Sequence, residues 1–308
     1  MKLVRAASLL LLLFVAAMSS SCGGGALPMR PADDHAHEAW IEPVLGRGAD
    51  LVVIVRVHKL MSDATFGPLM TKLAHDAFSE QNDATLRHAL IDCDEIDLEA
   101  SGDLTKPDSM PWIAVMRGVP QDVDVRAIMR GNTPVFESIG RSNAGVDAYV
   151  AHDLADGAEL LVFPDRTWIL VAKDVAPRLA ASATPPPPLP LEPDAMVASY
   201  TSGALIQLLS VYADADQRAL VDGLDGCTGA LFPSGHDDVT SKANLFYVDS
   251  STASNAKTTL EAQIKKATAH SDDLSAILLK SMLSIHRNGR VVEVEVKVPT
   301  AVIGKLTP

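Results

Sequence analysis

The chain has 308 residues, 47% of them hydrophobic and 21% charged, and its formal net charge is -13. That composition supports a real core, built from Leu, Val, Ile and Ala because aromatics make up only 5%. The acid excess, with no Lys/Arg cluster or basic stripe to offset it, argues against nucleic-acid binding and against unaided adsorption on anionic lipid.

The first segment reads as an export signal. Met1-Lys2-Leu3-Val4-Arg5 is a short basic start, Ala6 to Met18 is apolar apart from Ser8, and Ser19-Ser20-Ser21 precede Cys22. These are the n-region, h-region and small-residue cleavage region of a secretory leader. The apolar run of about 13 residues makes roughly 20 Å of helix, short of the ~30 Å hydrocarbon core. The segment Met18-Ser19-Ser20-Ser21-Cys22 resembles a bacterial lipobox, departing from it at Ser19, where that motif usually has Leu. The resemblance implies a diacylglycerol thioether on Cys22, cleavage before it, and attachment to a membrane through that lipid. Gly23 stands where lipoproteins of this class carry the Asp of inner-membrane retention. The resemblance therefore points to the outer membrane, with the folded part facing the periplasm or the exterior.

Residues 1–21 are then a leader and 22–49 a Gly/Pro-rich flexible tether. Inside the tether lies Asp33-Asp34-His35-Ala36-His37-Glu38. His35 and His37 with flanking carboxylates have the chemistry to ligate zinc or copper. No further ligand group follows at a fixed spacing, and a solvated loop is the plainer reading.

A first α+β domain is expected over 50–183. Leu51 to Val57 reads as a strand. Asp63 is placed to cap a helix to about Ser79, with Phe66, Met70, Leu73, Ala74 and Ala77 at helical spacing. A short helix over 84–90 follows. The acidic run Asp92, Asp94, Glu95, Asp97 and Glu99 reads as a solvated face, because a calcium loop would need Gly where Asp97 stands. Pro111 to Met116 reads as a strand, Val123 to Met129 as a helix, and Gly140 to Gly145 as a loop. Glu159 to Phe163 and Thr167 to Ala172 read as a hairpin turning at Pro164-Asp165-Arg166.

The run over 184–193, with four consecutive prolines from Pro185, is a stiff linker. A second α+β domain follows over 194–308. It is expected to hold strands over 195–200, 226–231 and 242–248, with a helix over 204–212. Ser251 and Thr252 are expected to cap a helix to Ala269 along the stripe Ala253, Ala256, Leu260, Ile264 and Ala267. A helix over 273–280 precedes a hairpin at Asn288-Gly289, expected as a type I′ turn. Val292, Val294, Val296 and Val298 alternate there with polar residues, so one sheet face is apolar and the other wet.

Each half runs strand, helices, strands, hairpin. The expectation is an α+β fold of two tandem, related domains, each a mainly antiparallel sheet with helices packed on one face. This plan, together with the leader, resembles uncharacterised envelope lipoprotein families, which lend no activity. Cys93 and Cys227 are either two buried free thiols or one disulfide. No Gly-x-Ser-x-Gly elbow and no phosphate-cradling loop occurs, and Ser234 beside His236 and Asp237 is a hairpin loop rather than a converged triad. The reading is a non-enzymatic, envelope-anchored lipoprotein that needs no cofactor. Its partners are the membrane through its lipid, and a lipid, an apolar ligand or an envelope protein. The alternative is an extracytoplasmic hydrolase using a metal at His35/His37 or the Ser234 loop.

Overall fold

Leu51 to Val55 is β-branched at four of five positions, and it forms the first strand, β1 (Leu51–Val55). The computed structural model describes residues 49–77, 84–100, 112–130, 133–141, 146–151, 158–171, 191–210, 218, 220–235, 238–269 and 282–301. Those up to 171 form one compact unit and those from 191 a second. Cys22, His35 and His37, the leader, nearly all of the tether, the prolines from Pro185 to Pro190 and the expected helix over 273–280 lie outside the described residues. The fold is α+β and mainly antiparallel.

In the first unit β1 stops at Val55, and Val57 opens a helix instead of extending the strand. The order is α1 (Val57–Ser62), α2 (Phe66–Ala77), α3 (Ala84–Ile91), β2 (Glu95–Ala100) and β3 (Trp112–Arg117). Asp63 caps α2 as expected: its Oδ1 accepts from the amides of Thr65 and Phe66 at 2.9 and 3.0 Å. Then come a 3-10 turn (Val125–Ala127), β4 (Met129–Arg130) and β5 (Thr133–Pro134), which pair only with each other. The unit closes with β6 (Phe136–Arg141), β7 (Asp147–Ala151), β8 (Glu159–Val162) and β9 (Trp168–Val171). Its strands lie in the order β1-β2-β3-β9-β8-β7-β6, every neighbour antiparallel.

Two expectations fail here. The helix expected over 123–129 shrinks to a single 3-10 turn. Asp124 caps it by accepting from the Arg126 amide, Ile128 is already extended, and the Val135 amide donates back to the Ile128 carbonyl. Gly140 and Arg141, read as loop, end strand β6. The β8–β9 hairpin forms where expected. The Arg166 amide donates to the Phe163 carbonyl, Thr167 donates to Asp165 Oδ1, and Arg166 takes the left-handed third position at φ 71°.

The second unit runs β10 (Val197–Ser202), α4 (Gly203–Ser210), β11 (Leu224–Leu231), β12 (Asp238–Tyr247), α5 (Ser250–Ala269), β13 (Leu283–Asn288) and β14 (Val291–Pro299). Its strands lie in the order β10-β11-β12-β14-β13, again all antiparallel. Both units therefore use one order over five strands: first, second, third, last, next to last.

Ala253, Ala256 and Leu260 of α5 and Ile206 of α4 pack on Leu224, Cys227, Ala243, Leu245, Tyr247, Val292 and Val294. The apolar stripe read from α5 thus covers one sheet face, with Ile264 at its margin. The cap of α5 is Asp249, not Ser251 or Thr252. Its Oδ1 accepts from both their amides at 2.8 Å and from Ser251 Oγ at 2.7 Å. The final hairpin also differs in detail. Asn288 pairs with Val291, so the central turn residues are Gly289 and Arg290. Gly289 has φ 58° while Arg290 is not among the positive-φ residues, which is the II′ pattern rather than I′.

Candidate functional site

Alternation along β2 puts Glu95, Asp97 and Glu99 on one face of an inner strand. The acidic run is therefore a solvated face only at Asp92 and Asp94; Glu95 and Glu99 are half-buried and Asp97 is 6% exposed. The register supplies what makes this tolerable. Glu95 sits directly opposite Arg117 of β3, and Arg56 follows the end of β1 on the other side. Arg117 Nη1 donates to Glu95 Oε1 at 2.6 Å, and Arg56 Nε lies 3.5 Å from Glu95 Oε2. Arg117 Nη2 is buried, makes no hydrogen bond among the described residues and lies 3.9 Å from Asp97 Oδ2. Val115 and Ile113 of β3, opposite Asp97 and Glu99, belong to an apolar cluster with Ala148, Leu161, Ile169 and Val171. The two guanidiniums here face carboxylates of their own sheet, so the cluster is an internal ion-pair network rather than an open anion site.

The same end of the sheet carries a tight crossing. Gly118 has φ +69°, and a Cβ there would run into the Asp94 carboxylate. Asp94 in turn lies 4.0 Å from Arg166 Nη2 on the β8–β9 turn.

His88, near the end of α3, stands between two carboxylates. Its Nδ1 lies 2.7 Å from Asp92 Oδ2, and its Nε2 lies 3.2 Å from both oxygens of Asp122. The carboxylates occupy opposite ring nitrogens, so the three side chains do not converge on one point. Hydrogen bonding to Asp92, then to Asp122, raises the imidazole above its usual value, and the same contact holds Asp122 below its own. Among the described residues, no group of three or more His, Cys, Asp or Glu is placed to hold a metal ion.

In the second unit one row of opposed residues crosses all five strands: Tyr200, Thr228, Asn244, Glu293 and His286. It lies one position from the row Cys227, Leu245, Val292, which faces the helices, so it belongs to the opposite face. Asn244 Nδ2 donates to Thr228 Oγ1 at 3.2 Å. Beside this row Lys242 approaches Glu295 at 3.6 Å and sits 5.6 Å over the Phe232 ring. The face offers amide, hydroxyl, carboxylate and imidazole groups in a plane. Thr228 is buried under this face, Asn244 and Glu293 are half-buried and His286 is exposed, so hydrogen bonding to a polar surface would run through the Asn244–Glu293–His286 end.

Cys93 and Cys227 are both buried thiols, not joined in a disulfide. Cys93 Sγ donates to the Leu90 carbonyl at 3.4 Å, and burial pushes its thiol up to about 12. Ser234 is half-buried in its loop, where the Gly235 amide donates to the Asp238 carbonyl; His236 and Asp237 lie outside the described residues. Sequence reading missed the Arg56–Glu95–Arg117 cluster and the His88 contacts. The cluster and the His88–Asp122 contact have no local signature, because they join residues 22 or more apart, whereas His88 and Asp92 are an i,i+4 pair whose spacing was visible. No family model matches the chain, and no curated protein and no solved structure matches it.

Proposed function

We propose that this chain is an exported, lipid-anchored envelope protein with a non-enzymatic binding role. The observation that carries the reading is the leader: a basic start, an apolar run to Met18, small residues and then Cys22. A multi-chain lipid on Cys22 would hold firmly, since each buried CH₂ adds about 0.8 kcal/mol. Gly23 favours the outer membrane. The binding part of the reading rests on the second sheet. Its apolar face is filled by α4 and α5. On the other face the row Tyr200–Thr228–Asn244–Glu293–His286 runs from the buried Thr228 to the half-buried Asn244 and Glu293 and the exposed His286, the last three being the groups a partner could reach. Such a row favours an envelope protein over a lipid or another apolar ligand. The shared strand order of the two units supports two tandem domains of common origin, joined by the Pro-rich linker over 184–193.

The test is fractionation of cells expressing wild type and Cys22→Ser. Wild type is expected in the membrane fraction and the variant in a soluble extracytoplasmic one. Unprocessed chain that keeps Met1 and stays free in the cytosol would overturn the reading. Partner binding is tested by cross-linking in intact cells: Asn244→Ala/Glu293→Ala should lose an adduct that wild type forms.

A further inference from the structure

We propose that His88 is a pH-sensitive clasp that fastens the Pro120–Asp124 loop to the end of α3. The observation is stereochemical. Both ring nitrogens face a carboxylate, at 2.7 Å to Asp92 and at 3.2 Å to the two oxygens of Asp122. A neutral imidazole has one N–H, so one of the two carboxylates would then face a lone pair; only the imidazolium donates to both. Asp92 sits four residues on, at the end of the same helix, and Asp122 is 34 residues away on another element. The protonated ring therefore bridges two elements, and the neutral ring keeps only one contact.

Among the described residues the bridged loop is otherwise held by few backbone bonds. The Val119 amide donates to the Arg166 carbonyl and the Val123 amide to the Pro120 carbonyl, which leaves Asp122 exposed on the turn between them. Beyond the loop the chain enters the 3-10 turn capped by Asp124 and buries Val125 and Ile128. The charged groups acting on His88 among the described residues are Asp92 from its own element and Asp122 from the loop, both acidic. The closed form is thus fully present below the ordinary histidine value and is released as pH rises through the raised one. Because the ring and both carboxylates are solvent-accessible, the effect on loop protection is modest, about two- to five-fold.

The experiment is a pH titration of the full-length protein with ¹³C/¹⁵N-labelled histidine, read by NMR, beside amide exchange over residues 119–124. Exchange is corrected for its intrinsic pH dependence and run on wild type, Asp122→Asn and His88→Gln. The expected result has three parts. His88 titrates above about 6.5. Asp122→Asn brings it down towards that value. Loop protection falls a few-fold across the same transition in wild type but is pH-independent in both variants. An ordinary His88 titration, a raised one indifferent to Asp122→Asn, or loop protection that ignores pH in wild type would each overturn the clasp. The wild-type titration decides even where a variant folds poorly.

Discussion

Arg117 and Glu95 are directly opposed on adjacent antiparallel strands, and the 2.6 Å bond between them anchors the charged end of the first sheet. The pair is mostly shielded, with side-chain exposures of 18% and 25%, and Asp97 behind it is more so.

Removing Arg117 leaves Glu95 with Arg56 and takes away its shortest hydrogen bond. Arg117→Met is expected to destabilise the protein by about 2 kcal/mol, the scale of a lost hydrogen bond to a charged group. Glu95→Leu should cost less in the Arg117→Met background than in wild type, because only in wild type does it also leave the half-buried Arg117 guanidinium without its carboxylate. Urea unfolding of the two singles and the double forms a double-mutant cycle. Additive losses would show that the two side chains are not coupled.

Asp249 accepts three hydrogen bonds at the start of α5, led by the Thr252 amide, and they hold its carboxyl at about 2. A depressed folded value means stability present above the ordinary carboxyl range and lost as pH falls from about 4 through about 2. Asp249→Ala should lower the melting temperature at neutral pH. Asp249→Asn should retain most of it, since Asn caps as well as Asp, yet lose the acid dependence over that window. Thermal melts of the three proteins between pH 2 and pH 7 check both parts.

Arg166 takes a left-handed conformation that costs a side chain about 1–2 kcal/mol. Its ion pair to Asp94 is exposed and adds less than about 1 kcal/mol. Arg166→Gly should therefore be the more stable variant when set beside Arg166→Ala, by about 1 kcal/mol. Arg166→Ala loses the ion pair without relieving the strain. Chemical denaturation of both decides; equal midpoints would remove strain as the cause.

Leu260 projects from α5 into the core of the second sheet beside Ala256 and Val292. Leu260→Ala should cost about 2–5 kcal/mol through lost burial and the cavity left behind. The same loosening should expose Cys227, which shares that core. Reaction with a thiol reagent under native conditions is expected to be faster in the variant than in wild type.

The elements legible in the sequence were those with a local cause. Asp63 before the apolar spacing of Phe66, Met70 and Leu73 marked α2, and Pro164-Asp165-Arg166 marked the β8–β9 turn. The Ala253–Ala256–Leu260 stripe marked the buried side of α5. The misreadings share another cause. Val125 to Met129 has residues a helix would accept, but Val135 returns to pair with Ile128 and draws the chain into a ladder. Asn288-Gly289 promised a I′ turn, yet the pairing of β13 with β14 set the register one residue later. Ser251 and Thr252 were plausible caps, and Asp249 outcompeted them because its carboxylate reaches both of their amides.

The sequence by itself determined the local pieces: the Asp63 cap and apolar spacing of α2, the Pro164-Asp165-Arg166 turn, the buried stripe of α5 and the alternating valines of the last strand. Caps, turns and helix stripes are written within a few residues, so no distant partner is needed to recognise them. Only the tertiary structure decided that the acidic run would lie on an inner strand against Arg56 and Arg117. It alone set His88 between Asp92 and Asp122, and put Tyr200, Thr228, Asn244, Glu293 and His286 in one row. Those groupings depend on strand order and register, which arise from packing the chain against itself and leave no mark at any single position.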